Sequence, residues 1–190
     1  ARSDKTLSWF PRAWIAGLGD EGGAGPWLAA AMKESGQPQK EEVAKFEQFI
    51  DGVLWGNLQY SEGERQYGVK KSLFYYDPAA LPNFAYETRF NWTTWTSWNK
   101  AQSEAVNRAY DYPHVVAAYW SMYRLARNYE GLVTHHAWDW YLKQAFETAN
   151  YLGTHNNIGN SRDGLMDGTI FLMLLGDLKR GGWEEEGGGA

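Results

Sequence analysis

Residues 113–152 read PHVVAAYWSMYRLARNYEGLVTHHAWDWYLKQAFETANYL, and the fold class follows from this segment. In its first half Val116, Tyr119, Trp120 and Tyr123 recur at the spacing of one helix face. Val115, Ala118, Met122 and Leu125 make a second stripe beside it. A helix over 113–129 that is apolar round much of its circumference belongs between neighbours. Glu130-Gly131 marks a turn. Trp138, Tyr141, Leu142, Ala145, Phe146, Ala149 and Leu152 then predict a strongly amphipathic helix over 136–152. Long helices joined by a short connection pack as an antiparallel hairpin.

Working outward, a polar loop over 154–162 leads to a last helix over 164–180, carrying Ile170, Phe171, Leu174, Leu175 and Leu178. Asp163 stands where its N-cap would be. Upstream, the pattern dissolves over 56–109 into Gly, Pro, Asn and aromatic residues. Short strands are expected at 72–76 and 86–90, inside a loop long enough to be functional. Before it, Val43, Phe46, Ile50, Val53 and Leu54 stripe a helix over 39–55, with Lys40, Glu41, Lys45 and Gln48 facing water. Pro26 suits the first turn of a shorter helix over 26–34, which Ser35-Gly36-Gln37-Pro38 breaks. Residues 1–25 form a Trp- and Gly-rich entry, and 184–190 a tail. The expectation is a mainly α chain of antiparallel helix hairpins with a long aromatic-rich loop and short-strand insertion. Residues 1–183 form one domain.

Composition narrows the function. The net charge is −5, the pI about 5.4, and no Lys/Arg cluster appears, so nucleic acid is a poor partner. Without cysteine there is no disulfide and no thiolate metal site. The longest apolar run, 169–175, falls far short of the ~18 residues of a membrane span. There is no phosphate-cradling loop, dinucleotide fingerprint or nucleophile elbow. The 11 Trp, 12 Tyr and 8 Phe, many interleaved with Gly, Asn, Thr and Asp, resemble the wall of a groove.

Four acidic residues are candidates for chemistry. Asp20 and Glu21 sit in Gly-rich LGDEGGAG, just before a helix, where they are either accessible catalytic groups or turn caps. Asp111, in AYDYPH, stands at the N-terminal mouth of the helix that Pro113 opens, where dipole and free amides favour an anion. Asp167 lies one turn beyond Asp163. Sugar rings pack C–H faces on aromatic planes, so Trp14, Trp92, Trp95, Trp98, Tyr110 and Tyr112, with Arg108 and His114, are candidate substrate contacts. Trp9 and Trp27 belong to the same set, whereas Trp55, Trp120 and Trp138 are expected in the core. The adjacent His135 and His136 cannot both face one metal from a regular helix. No metal and no cofactor are implied.

Three segments, WIAGLGDEGGAG (14–25), NRAYDYPHV (107–115) and GLMDG (164–168), carry a likeness. Together they resemble a family of large exported bacterial and fungal proteins, long described as a domain of unknown function and grouped with six-hairpin glycosidase-like enzymes. The resemblance spans most of residues 9–183. It implies an (α/α) toroid whose loops, at one end of the helices, build a glycan cleft, and a secreted, cell-surface or periplasmic location. A closed ring needs more helices than this chain offers. The chain therefore reads as the C-terminal part of a larger toroid, completed by the rest of the same protein or by neighbouring copies.

The function expected is glycoside hydrolysis of a poly- or oligosaccharide by two carboxyl groups, drawn from Asp20, Glu21 and Asp111 with Asp167 in reserve. A spacing of about 5–5.5 Å would mean retention, and about 6.5–9.5 Å inversion. One alternative is a polysaccharide lyase. Its Tyr or His base would come from Tyr110, His114 or His135, with Asn107 and Arg108 stabilising the enolate. Another is a non-catalytic glycan-binding or assembly module.

Overall fold

A computed structural model describes residues 21–94, 97–155, 157–159 and 165–183, with the backbone alone for 21 and 22. The chain is mainly α. In order come α1 (Glu21–Gly36), α2 (Lys40–Phe49), α3 (Lys100–Ser103), α4 (Asp111–Asn128), α5 (Trp138–Thr154) and α6 (Thr169–Arg180). One π turn (Ile50–Leu54) extends α2.

Helix α4 is the centre. Every residue from Asp111 to Tyr123 is buried, as two apolar stripes on one helix require. It packs against α1, α5 and α6. Ring contacts give its direction relative to α5: Tyr112 meets Tyr151, Tyr119 meets Trp140, and Tyr123 meets Trp138. Partners descend along α5 as they ascend along α4, so the pair is an antiparallel hairpin. Contacts with the third helix ascend together, from His114–Asp167 to Trp120–Asp177. Helices α4, α5 and α6 thus run up, down, up. The starts of α4 and α6 and the finish of α5 share one end of the molecule.

A buried polar network ties the long connection 55–69 to this hairpin. The Gln59 amide donates to Thr148 Oγ1 at 2.7 Å and to the Tyr67 carbonyl at 2.9 Å, and accepts from the Tyr119 hydroxyl at 2.8 Å. Thr148 in turn donates to the Gln144 carbonyl. Each member finds a partner, as a polar group without solvent must.

Several element expectations are corrected. Helix α1 starts five residues before Pro26, which lies inside it. Ala24, Trp27 and Ala31 are buried on one side, and that packing outweighs a missing backbone donor. Trp27 is therefore core, not groove. No strand forms at 72–76 or 86–90, and the bridges among the described residues are isolated ones. The aromatic side chains there pack on each other, so the backbones never pair. Helix α5 starts at Trp138, because His135 and His136 are drawn back onto Asp51. Helix α6 starts at Thr169, because Asp167 adopts a left-handed φ of 59° that cannot continue a helix. Asp163 lies outside the described residues.

Candidate functional site

Four of the residues proposed from the sequence meet at the shared end. Asp111 is the first residue of α4 and is fully buried. Arg108 Nε lies 3.6 Å from its Oδ1, and the helix dipole adds to the stabilisation of its charge. His114, one turn on, is also buried, and its Nε2 lies 3.4 Å from Oδ2 of Asp167. Asp167 is the exposed member, with about half of its side chain in solvent (51%). Lys71 joins them from the long connection. Burial lowers its amine below the ordinary lysine value; Asp111 pulls it up and Arg108 pushes it further down.

This arrangement changes three assignments. With no solvent exposure, Asp111 is closed to a substrate in this structure and stands against Arg108. His114 is sealed in the same way and orients Asp167. Tyr112, expected on a sugar-contacting wall, is fully buried. Its hydroxyl donates to the Val106 carbonyl at 2.7 Å and accepts from the Val69 amide at 3.3 Å. Half-buried Tyr110, under the Arg108 guanidinium at 5.3 Å, remains at the rim. Asp20, Trp14 and Trp95 lie outside the described residues, as does the side chain of Glu21.

The aromatic insertion makes the second part of the site. Residues 73–92 fold into a loop that packs on its own rings. Tyr76 stacks on Trp92 at 4.8 Å and 7°, and Tyr86 meets both edge-on. The Tyr86 hydroxyl donates to the Tyr75 carbonyl and accepts from the Asp77 amide, and Trp92 Nε1 donates to the Glu87 carbonyl. Between Leu73 and Trp92 runs an open groove of about 630 Å³. Phe74 and Phe84, with more than half of each ring in solvent, stand on its walls. Of the tryptophans expected here, Trp92 lines the groove, whereas Trp98 is buried and anchors the loop, its carbonyl accepting from the Tyr76 amide.

Groove and polar cluster adjoin. Lys71 belongs to the cluster, and Leu73, two residues further along the chain, lines the groove. The amides of Lys71 and Ser72 donate to the carbonyls of Ala105 and Ser103, which pins the join to the approach to α4.

His135 is elsewhere. It lies beside His136, which stacks on Trp140, and Trp140 meets Tyr119, about 12 Å along α4 from Asp111. Here Asp51, on the π turn, accepts from His135 Nδ1 at 2.7 Å and His136 Nε2 at 2.8 Å. His136 stacks on Trp140 at 3.8 Å. The Asp51 hydrogen bond raises His135 above the ordinary imidazole value. Burial pushes Asp51 up, but hydrogen bonds from His136 and His135 outweigh it and leave the carboxyl below its ordinary value. Beside it buried Glu47 accepts from the amides of Thr134 and His135, each at 2.7 Å. Sequence reasoning missed Asp51 and Glu47. Their polar positions on the stripe side of an amphipathic helix were the available sign. Among the described residues no group of three or more His, Asp or Glu could hold a metal, and no helix is long and apolar enough to cross a membrane.

A family described as of unknown function, DUF5695, matches residues 2–188. No curated protein and no solved structure matches the chain.

Proposed function

The chain belongs to the DUF5695 family of unknown function, and we propose from its own geometry that it is a carbohydrate-active protein, a glycoside hydrolase acting on polysaccharide. In this reading the groove grips the glycan by packing sugar rings on Phe74 and Phe84. The mouths of α4 and α6 carry the acid/base work. One observation supports it above the rest: an exposed aromatic groove runs within two residues of a cluster that presents one open carboxylate, Asp167, on buried supports. Asp167 touches the substrate, His114 orients it, and Asp111 holds Arg108 at the rim. Hydrolysis needs a second carboxyl group, one protonated and one not; Asp20 or Glu21 supplies it. The up-down-up helices form part of an (α/α) toroid, whose other hairpins come from the rest of the protein or from neighbouring copies. A polymeric substrate implies a secreted, cell-surface or periplasmic protein.

The test is a panel of insoluble and soluble polysaccharides, scored for retention and for release of reducing ends. Retention that falls at least tenfold in Phe84→Ala, together with sugar release lost in Asp167→Asn, supports the reading. If the wild type retains none of the panel, the reading fails. A second reading, glycan binding without catalysis, draws on the sealing of Asp111. Retention with no release, unchanged by Asp167→Asn, Asp20→Asn or Glu21→Gln, would establish it. The lyase alternative loses His135, which is held on Asp51 at the level of Tyr119 rather than beside Asp111; release of an unsaturated, ultraviolet-absorbing product would support that alternative.

A further inference from the structure

A smaller pocket of about 210 Å³ lies between residues 63–67 and the outer face of α5. Its lining is mostly polar. Glu64 comes from the loop, and Glu147 and Asn150 come from α5 at helical spacing. His155 stacks face to face on buried Tyr151 at 3.7 Å and 12°, so the outer face of the half-buried imidazole is the flat surface on that side. No lysine or arginine lines it. Arg65, the nearest in sequence, has its guanidinium 5.6 Å over the Tyr60 ring and donates to that residue's hydroxyl, and its charge also reaches Tyr151.

Tyr67 closes the pocket in a conformation that needs explanation. Its φ is 71°, in the left-handed region, which a bulky aromatic residue rarely enters. Its amide donates to the Tyr60 carbonyl at 2.8 Å, its carbonyl accepts from Gln59, and its ring packs on Trp55 at 5.5 Å. The surroundings thus hold the phenol at the pocket wall. Burial, reinforced by Glu147, keeps that phenol protonated and so able to donate.

The pocket stands at the same end as the proposed catalytic cluster. Tyr151 stacks on Tyr112, which follows Asp111. It is lined by residues that neither the cluster nor the groove uses.

We propose that this pocket is a binding subsite for a single sugar ring bearing a free ammonium group, a hexosamine unit of the glycan. The ring's C–H face lies on the outer face of His155, which Tyr151 backs. Its hydroxyls bond Asn150 and the Tyr67 phenol. Its ammonium lies between the carboxylates of Glu64 and Glu147, which repel an anionic sugar and give a neutral one no charge partner. The inference rests on the carbohydrate reading above and names the kind of residue that the glycan carries.

The experiment is saturation-transfer difference NMR on the full-length protein, titrated separately with glucosamine, N-acetylglucosamine and glucose. Glucosamine should bind about fivefold to tenfold more tightly than the other two, a gap of the size that two partly exposed charge contacts give. Glu147→Gln and Glu64→Gln should each shrink that preference, while Phe84→Ala leaves it intact. Equal affinity for the three sugars, no binding of any, or a preference that survives both glutamate substitutions overturns the proposal. The two failures separate cleanly. Polysaccharide retention that depends on Phe84 without a glucosamine preference leaves the groove standing and removes this subsite. A glucosamine preference without retention does the reverse.

Discussion

The carboxyl group of Asp111 is buried in the first turn of α4 beside the partly exposed Arg108. Asp111→Ala removes a buried partner of Arg108 and should cost about 1–3 kcal/mol in urea unfolding. Asp167, half in solvent, should behave in the opposite way. Asp167→Asn should leave stability within about 0.5 kcal/mol while sugar release disappears. The charge of a residue is legible in a sequence, but whether water reaches it is not. AYDYPH announced an anion at a helix mouth; only the packing of α1, α5 and α6 around that mouth made it a support. The pH response of the Asp51 latch also belongs to single residues. His135 has its folded value raised above the ordinary 6.5, so its contribution is full below that value and fades as pH rises through the folded one. Asp51 is lowered below 3.8, so its contribution is full above that and fades as pH falls through its folded value. Both side chains are 37% exposed, and solvent screening keeps the contribution to about 0.2–1 kcal/mol. The melting temperature of the wild type should exceed that of His135→Gln at pH 5–6. The gap, about 1–3 °C, should close by pH 9.

Helices α4, α5 and α6 are legible because each carries a stripe long enough to show its period. Their termini are less so, since long-range bonds shape them. Glu47 on α2 caps the amides of Thr134 and His135, more than eighty positions away in sequence. Glu47→Ala removes a buried acceptor, but Thr134 and His135 are exposed and water can reach their amides, so a loss of about 1–2 kcal/mol is expected in thermal or urea unfolding. A similar closeness appears at Gly68, where an added Cβ would meet the Arg65 carbonyl at 2.9 Å and Tyr151 at 3.1 Å. Gly68→Ala should therefore destabilise by about 1–3 kcal/mol, as circular-dichroism melts would show. The aromatic residues at 72–76 and 86–90 favour short strands, which do not form there. Their rings found one another first, and Tyr86 bonds Tyr75 through its phenol rather than through a ladder.

Across the whole molecule, the up-down-up run of α4, α5 and α6 gathers two helix starts, one helix finish and the approach from the insertion at one end. On the proposed reading, a glycan in the groove continues past Lys71 towards the cluster at the mouth of α4. Binding and chemistry should then separate in kinetics. Phe84→Ala should raise KM about fivefold or more with kcat within about twofold, because a remote contact holds ground state and transition state alike. Asp167→Asn should lower kcat instead. Steady-state assays on a soluble oligosaccharide would separate the two.

Taken by itself, the order of residues determined the helical class, the hairpin of α4 and α5, the burial of much of α4 and the presence of an aromatic insertion. Those features follow from hydrophobic period and turn chemistry, which act over a few residues. The tertiary structure alone decided that Asp111 and His114 are sealed while Asp167 is open. It also decided that His135 answers to Asp51, away from Asp111, and that Glu64 and Glu147 share a pocket. Solvent access and pairing between distant residues depend on how helices cross. That geometry arises from the sum of many side-chain contacts and leaves no mark in any one segment.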